Sequence, residues 1–170
     1  MSTSPSPAAV LTPADRKALV TAHPRVASAA RWFWWIAGLS LINSVLIHSG
    51  SNTNFVIGLG FTLVADTVFA AYKPVAYAID LLSIGFFVGI GLIALRGYRW
   101  AFIVGGIFYL IDGIIYALGE EWLPVGFHVY VLIMIFIGFK ALNTAIKSVL
   151  TAPPAPAPVA PPPLEEPKQS

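Results

Sequence analysis

PVAYAIDLLSIGFFVGIGLIALRGYRWAFIVGGIFYLIDGIIYALG, residues 74–119, is the stretch that decides the fold. Two apolar arms, 75–95 and 100–118, flank a short basic turn. Each arm has about 20 residues, which is the length an α-helix needs to cross the hydrocarbon core of a bilayer. Each arm also carries one carboxylate, Asp80 in the first and Asp112 in the second. The stretch therefore predicts a helical membrane hairpin with an ionisable group in each helix.

The composition of the whole chain agrees with that prediction. Of the 170 residues, 57% are apolar and only 11% are charged, and the mean hydropathy is +0.78. The net charge of +2 does not indicate a nucleic-acid partner, because the basic residues stand singly at the ends of apolar blocks. The absence of cysteine excludes disulfides, thiolate metal sites and cysteine nucleophiles. No phosphate-binding loop and no GxSxG motif is present, so we expect a non-catalytic protein without a cofactor.

The spacing of the apolar blocks predicts an all-α membrane protein with a four-transmembrane-helix antiparallel bundle. The membrane domain covers residues 27–148, and its spans are 27–48, 75–95, 100–118 and 125–146. With this topology the lysines and arginines that flank the spans fall on one side of the membrane, and Lys73 is the exception. The positive-inside rule then predicts a multi-pass protein of the cell inner (plasma) membrane with both termini cytoplasmic.

The apolar stretch 55–72 is the ambiguous one. If it also spanned, the basic residues would be divided between the two sides, so we predict an extra amphipathic or re-entrant helix on the outer face instead. It follows the capping-type residues Ser51, Asn52 and Asn54. Such a helix can cover the outer mouth of the bundle.

The two ends of the chain have a different composition. Residues 1–26 are predicted to form a disordered cytoplasmic leader with one short helix, which begins at Thr12-Pro13-Ala14-Asp15 and ends near His23-Pro24. Residues 149–170 are rich in proline and are predicted to be a disordered, extended tail.

Polar residues of the four predicted spans fall at similar depths near the outer face. With a rise of 1.5 Å per residue, the asparagine, the two aspartates and the histidine of this layer each lie roughly 6 to 10 Å below the outer end of their helix, and tyrosines accompany the aspartates. The layer consists of Asn43, Tyr77, Asp80, Tyr109, Asp112, Tyr116 and His128. Tyr77 and Tyr109 each precede an aspartate by three residues, a spacing that puts hydroxyl and carboxylate on one helix face.

Three interpretations of this polar layer remain open. The groups can be structural, with hydrogen bonds between helices that hold the bundle together. Asp80 and Asp112 can instead form a site of proton- or cation-coupled transport, since carboxylates inside a membrane mark ion pathways. The third interpretation is a metal or haem site that uses His48 and His128, although no HxxxH or ExxH spacing is present.

Small residues give two of the predicted spans a face on which another helix can approach closely. These glycines are Gly85, Gly89, Gly91, Gly105, Gly106 and Gly113. GxxxG spacing in a membrane helix is typical of helix association. The sequence thus favours a small integral membrane protein that assembles through its glycine faces, with the lipid bilayer and either a second copy or another membrane protein as partners.

Overall fold

The computed structural model describes residues 11–49 and 58–152, and within these ranges every regular element is an α-helix. The elements are α1 (Pro13–Ala22), α2 (Pro24–His48), α3 (Gly60–Val68), α4 (Lys73–Leu95), α5 (Arg99–Leu118) and α6 (Trp122–Thr151). The all-α class is therefore confirmed. The predicted disorder at 1–10 and 153–170, and the first residues of the predicted outer helix at 55–57, lie outside the described residues.

Three of these helices, α4, α5 and α6, are long and apolar enough to cross a membrane. Helix α2, which corresponds to the first predicted span, is not one of the three. Its 25 residues are less apolar on average than those of α4, because they include Arg31, Asn43, Ser40 and Ser44. The count of four spans therefore stays a prediction. Helix α3 has only nine residues, which is too short to span.

The long helices pack side by side, with α2 and α5 each in contact with both α4 and α6. Aromatic rings fill the centre of this group. The Phe33 ring of α2 lies 6.4 Å from that of Phe87 in α4 and 6.0 Å from that of Phe102 in α5, measured between ring centroids. The Phe87 ring meets Tyr109 edge to face at 6.1 Å. Helix α3 lies outside this core, against α4 and α5.

The short helix α1 begins where the sequence predicted. The Thr12 hydroxyl accepts the N–H of Asp15, and the Asp15 carboxylate accepts the hydroxyl and the N–H of Thr12, which is the predicted capping box. The two hydrogen bonds that the Asp15 carboxylate accepts from Thr12 hold the pKa of Asp15 below its ordinary value. The bond from the hydroxyl has the larger effect and the bond from the N–H the smaller one. Pro24 starts the next helix, and the chain changes direction at His23.

Two glycines allow close approaches that fix how the helices sit together. Gly97, in the turn between α4 and α5, has a φ of +81°, which glycine adopts without strain, and a Cβ there would lie 2.7 Å from the Arg16 carbonyl oxygen of α1. Gly138 brings α6 against α2, since a Cβ there would lie 2.1 Å from the Cβ of Ala29. These contacts place α1, the α4–α5 turn and the C-terminal part of α6 at one end of the molecule.

Candidate functional site

Asp112 lies at the other end of the molecule, on α5, and is completely buried. Its Oδ1 accepts the backbone N–H of Phe61 at 2.9 Å, and its Oδ2 accepts the N–H of Gly60 at 3.0 Å. Oδ2 also lies 2.9 Å from Nε2 of His128 on α6. One carboxylate therefore joins three helices, α3, α5 and α6.

The two N–H groups that Asp112 accepts belong to the first turn of α3. The first N–H groups of an α-helix have no partner within the helix, and a side chain at the N-cap position usually accepts one of them. The N-cap residue of α3 is Leu59, which makes no such bond. Asp112 takes that role from a neighbouring helix, and its carboxyl oxygens face the positive end of the α3 dipole. The start of α3 is thus held against α5.

The hydrogen bonds of His128 determine how many protons the pair with Asp112 holds. Its Nδ1 lies 2.8 Å from the carbonyl oxygen of Pro124, and a carbonyl only accepts, so Nδ1 carries a hydrogen. The contact between Nε2 and Asp112 then needs one further proton, which either the imidazole or the carboxyl group holds. In both arrangements the pair has no net charge. Because the pair has no net charge, its burial costs much less free energy than the burial of a single unpaired charge.

Two tyrosines enclose this pair. The Tyr109 ring stacks on the His128 ring with centroids 4.2 Å apart and planes 18° apart. The Tyr116 ring lies 5.3 Å from His128, and its hydroxyl donates to the carbonyl oxygen of Gly58 at 3.1 Å. Gly113 permits this packing, because a Cβ there would lie 3.1 Å from two carbons of His128. The segment that leads into α3 is consequently held at Gly58 as well as at the first turn of the helix.

Asp80 occupies a different environment, between α4 and α2. It is 3% exposed, and its Oδ2 accepts a hydrogen bond from the Ser44 hydroxyl. Its Oδ1 is buried without a hydrogen-bond partner among the described residues. Asn43, next to Ser44, is also buried, and its side chain lies against Gly58, where it approaches within 2.8 Å of the position a Cβ would take.

The structure divides the predicted polar layer into separate groups. Tyr109, Asp112, Tyr116 and His128 form one cluster, and we call these four residues with the α3 N–H groups of residues 60 and 61 the Asp112 cluster. Asp80 receives its hydrogen bond from Ser44 of α2. Tyr77, predicted to lie beside Asp80, is 46% exposed.

The sequence interpretation missed the groups that donate to the two aspartates, which are one serine hydroxyl and two backbone N–H groups. Ser44 is a small polar residue whose pairing with Asp80 depends on how α2 and α4 face each other. The N–H groups of Gly60 and Phe61 belong to the backbone and have no side-chain signal. The only hint is that no capping residue stands at Leu59, directly before the helix.

The geometry does not favour the metal interpretation. Both ring nitrogens of His128 are engaged, one with the Pro124 carbonyl and the other with Asp112, so neither offers a free lone pair in this arrangement. Within the described ranges no group of three His, Asp or Glu side chains is placed to hold a metal ion. The side chain of His48, the other predicted ligand, is outside the described part of the chain.

We predict that Asp112→Asn loosens the start of α3. An amide has one acceptor oxygen and turns an N–H₂ toward one of the three donors, so at least one buried hydrogen bond is lost, at about 1–3 kcal/mol. Thermal unfolding in mild detergent measures this loss, and hydrogen exchange should be faster at residues 60–68. Tyr116→Phe, which removes only the bond to Gly58, should cost about 0.5–1.5 kcal/mol.

Asp15→Asn is the matched control, because it makes the same chemical change in an exposed acid of α1. It should leave exchange in α3 unchanged. If Asp112→Asn also exchanged at the wild-type rate, α3 would be held by its apolar contacts and not by the carboxylate.

Comparison with known proteins adds no functional assignment. No family model, curated protein or solved structure matches this chain. No residue role can therefore be transferred from a relative, and the functional conclusion rests on the geometry of the chain's own residues.

Proposed function

We propose that this chain is a non-catalytic, multi-pass membrane protein that assembles with a second copy of itself through the Gly85–Gly89 face of α4. Helices α2, α4, α5 and α6 form its four spans, and α3 lies at the outer face. The observation that carries the proposal is that both glycines of this GxxxG pair face open space: among the described residues, no other helix and no side chain beyond the chain neighbours lies within 4 Å of an added Cβ.

The distribution of polar and apolar residues supports placement in a membrane. Asp80, Asp112 and His128 are buried in the interior. Large apolar side chains point outward along the long helices, and Leu81 and Leu82 of α4 are each 73% exposed. In water such a surface would be an extensive apolar patch, whereas lipid tails solvate it without penalty. Helix α3 follows the same pattern, with Thr62 buried and Val68 exposed.

The distribution of charge supports the orientation. The contacts of α1 with Gly97 and of Arg99 with Asn143 put the N-terminal helix, the α4–α5 turn and the end of α6 at one end of the molecule. The basic residues at this end are Arg16, Lys17, Arg25, Arg31, Arg96, Arg99, Lys140 and Lys147. The opposite end, with the α5–α6 turn, carries Glu120 and Glu121. By the positive-inside rule the basic end is cytoplasmic, and so are both termini.

The glycines differ in how they are used, and this difference selects the assembly face. Side chains of the same chain occupy the space beside three of them: Trp34 beside Gly91, Phe33 beside Gly105 and His128 beside Gly113. A Cβ at Gly106 would meet only Ile135, at 3.8 Å. Side chains of the same chain therefore fill most of the small face of α5, and of the two predicted small faces the one on α4 at 85–89 is left open to another helix.

The topology is testable because the chain contains no cysteine. We predict that Glu121→Cys in whole cells reacts with a membrane-impermeant maleimide, whereas Thr21→Cys and Thr151→Cys react only after permeabilisation. All three positions are exposed. Labelling of Thr21→Cys together with Glu121→Cys in intact cells would show that α2 does not cross the membrane and that the protein has three spans.

For the assembly face, we predict that Gly85→Ile with Gly89→Ile lowers the dimer fraction at least several-fold in mild detergent, measured by light scattering after size-exclusion chromatography. Branched side chains keep the two helix backbones apart. The monomer should keep its helix content, since neither position has a neighbour within 4 Å. Gly126→Ile of α6, whose surroundings are equally open, is the matched control and should leave the dimer intact.

A monomeric wild-type protein, or a double variant that dimerises as the wild type does, would contradict the assembly proposal. The membrane topology would not be affected by either result, because the cysteine labelling tests it separately.

A second candidate function, proton- or cation-coupled transport, is favoured by one specific observation, the buried Oδ1 of Asp80 without a hydrogen-bond partner among the described residues. An ionisable residue inside a spanning helix is costly and usually functional. Asp112 is less suited to exchange, because both of its oxygens are engaged by donors of α3 and α6.

If the transport candidate is correct, Asp80→Asn abolishes a proton or alkali-cation flux in proteoliposomes while the elution volume and helix content stay those of the wild type. Ser44→Ala, which removes the donor but keeps the carboxylate, should retain a measurable flux. Absence of any flux in wild-type vesicles under both proton and cation gradients would remove this candidate.

A further inference from the structure

A pocket of about 660 Å³ opens at the basic end, between α1, the first turn of α5 and the last third of α6. Its polar wall consists of Arg16, Arg99, Asn143 and Lys147, with the rings of Tyr98 and Trp100 beside them. This pocket lies on the side that the charge distribution assigns to the cytoplasm. It is far from the Asp112 cluster, which lies near the other end of α5 and α6.

Among the described residues, the cations of this pocket have no acidic partner. Arg99 Nη1 donates to Asn143 Oδ1 at 3.1 Å, which orients the guanidinium. The Arg16 guanidinium lies 5.4 Å from the centre of the Tyr98 ring. Among the described residues no carboxylate forms an ion pair with Arg16, Arg99 or Lys147. Three positive charges thus converge on a concave surface without compensation, which is the charge pattern that attracts an anion.

The pocket adjoins an apolar groove of about 380 Å³ between α5 and α6. Ile103 and Phe139 line both spaces, so the two are adjacent. The groove runs along α5 from Phe102 to Leu110, a length of roughly 12 Å at 1.5 Å per residue. Its floor includes Gly106, where no side chain fills the space. The side chains that line the groove are apolar, so a hydrocarbon chain can occupy it without leaving a polar group unpaired.

Because the basic pocket and the groove adjoin, we propose that together they bind one anionic phospholipid of the cytoplasmic leaflet. Its phosphate lies among Arg16, Arg99 and Lys147, and one acyl chain lies along the groove between α5 and α6. The first turn of α5 also begins at the pocket and has no side-chain cap, so its N–H groups add to the attraction for phosphate. Basic pockets between membrane helices on this side are known recognition sites for lipid head groups.

The occupant is a phospholipid and not free phosphate, because inorganic phosphate would use the pocket and leave the adjoining groove empty. A neutral lipid would fill the groove but would not compensate the three cations. The inference rests on the proposed membrane topology. It does not depend on the proposed dimer, since Gly85 and Gly89 lie on α4, outside both spaces.

The experiment titrates the purified full-length protein in mild non-ionic detergent with phosphatidylglycerol or with phosphatidylcholine of the same acyl chains, and native mass spectrometry counts the bound lipid. We expect phosphatidylglycerol to bind about tenfold more tightly, because it carries a net negative charge for the basic side chains, whereas the choline group neutralises the phosphate of phosphatidylcholine. The Arg99→Gln, Lys147→Gln double variant should lose this preference. Lys140→Gln, a nearby lysine of α6 outside the pocket, should keep it.

A second variant tests the groove by itself. Gly106→Phe fills it, since a Cβ at this position has only Ile135 nearby, at 3.8 Å. It should weaken binding of phosphatidylglycerol although every cation is present. Circular dichroism of each variant shows whether it has folded, and if the double variant has not, the comparison of the two lipids on wild type and Gly106→Phe decides the matter.

Three results would overturn the proposal. The first is equal affinity of the wild type for the two lipids. The second is an undiminished preference for phosphatidylglycerol in the folded double variant. The third is displacement of bound lipid by millimolar inorganic phosphate with Gly106→Phe binding as the wild type does, which would make free phosphate the ligand. Failure of the topology is recognised independently, from the cysteine-labelling pattern.

Discussion

The carboxylate of Asp112 is the constraint on which the end of the structure around α3 depends. A carboxylate that is completely buried among apolar helices must find donors or a positive charge, because its hydration is lost. Here His128 and the first turn of α3 supply both. If α3 moved away from α5, the carboxylate would keep only His128 as a partner, and two N–H groups in the first turn of α3 would lose their acceptor. Helix α3 is too short to be stable by itself, so its position and its existence depend on the same interaction.

The two acids of the apolar helices α4 and α5 have different surroundings, and this difference bears on which of them could exchange a proton. Asp112 is surrounded by donors from two helices and covered by two tyrosine rings. Asp80 has the Ser44 hydroxyl on one oxygen and no hydrogen-bond partner among the described residues on the other. A group whose hydrogen bonds are complete stabilises packing and resists exchange, whereas one with a vacant acceptor can take up a proton or a cation at lower cost. If the polar layer transports anything, Asp80 is the residue to examine.

The sequence predicted the elements better than it predicted their contacts. Helices α4 and α5 follow from the length of two apolar runs, and the start of α1 follows from a local pattern at Thr12 and Asp15, because both signals are contained within one helix. The cap of α3 could not be predicted, since Asp112 is 51 and 52 residues away from the N–H groups it accepts. The same holds for the glycines: Gly85 and Gly105 have the same sequence signal, but only the packing shows that Phe33 fills the space beside the second. Periodicity reports which residues share a face, and tertiary structure decides what covers it.

Helices α5 and α6 contribute residues both to the Asp112 cluster and to the basic pocket. The charges differ between the two ends of this helix pair. At the end that carries α3, Asp112 and His128 are buried and form a pair without net charge, so substitutions there should disturb the fold. At the basic end Arg99 and Lys147 face a cavity and have no acidic partner among the described residues, so substitutions there should leave the fold intact and change what the cavity attracts. On α5 the two regions are separated by about 20 Å of apolar helix, counted from Arg99 to Asp112 at 1.5 Å per residue. Polar groups of this helix pair are thus paired and buried at one end and without an acidic partner among the described residues at the other, an asymmetry that agrees with the proposed membrane orientation.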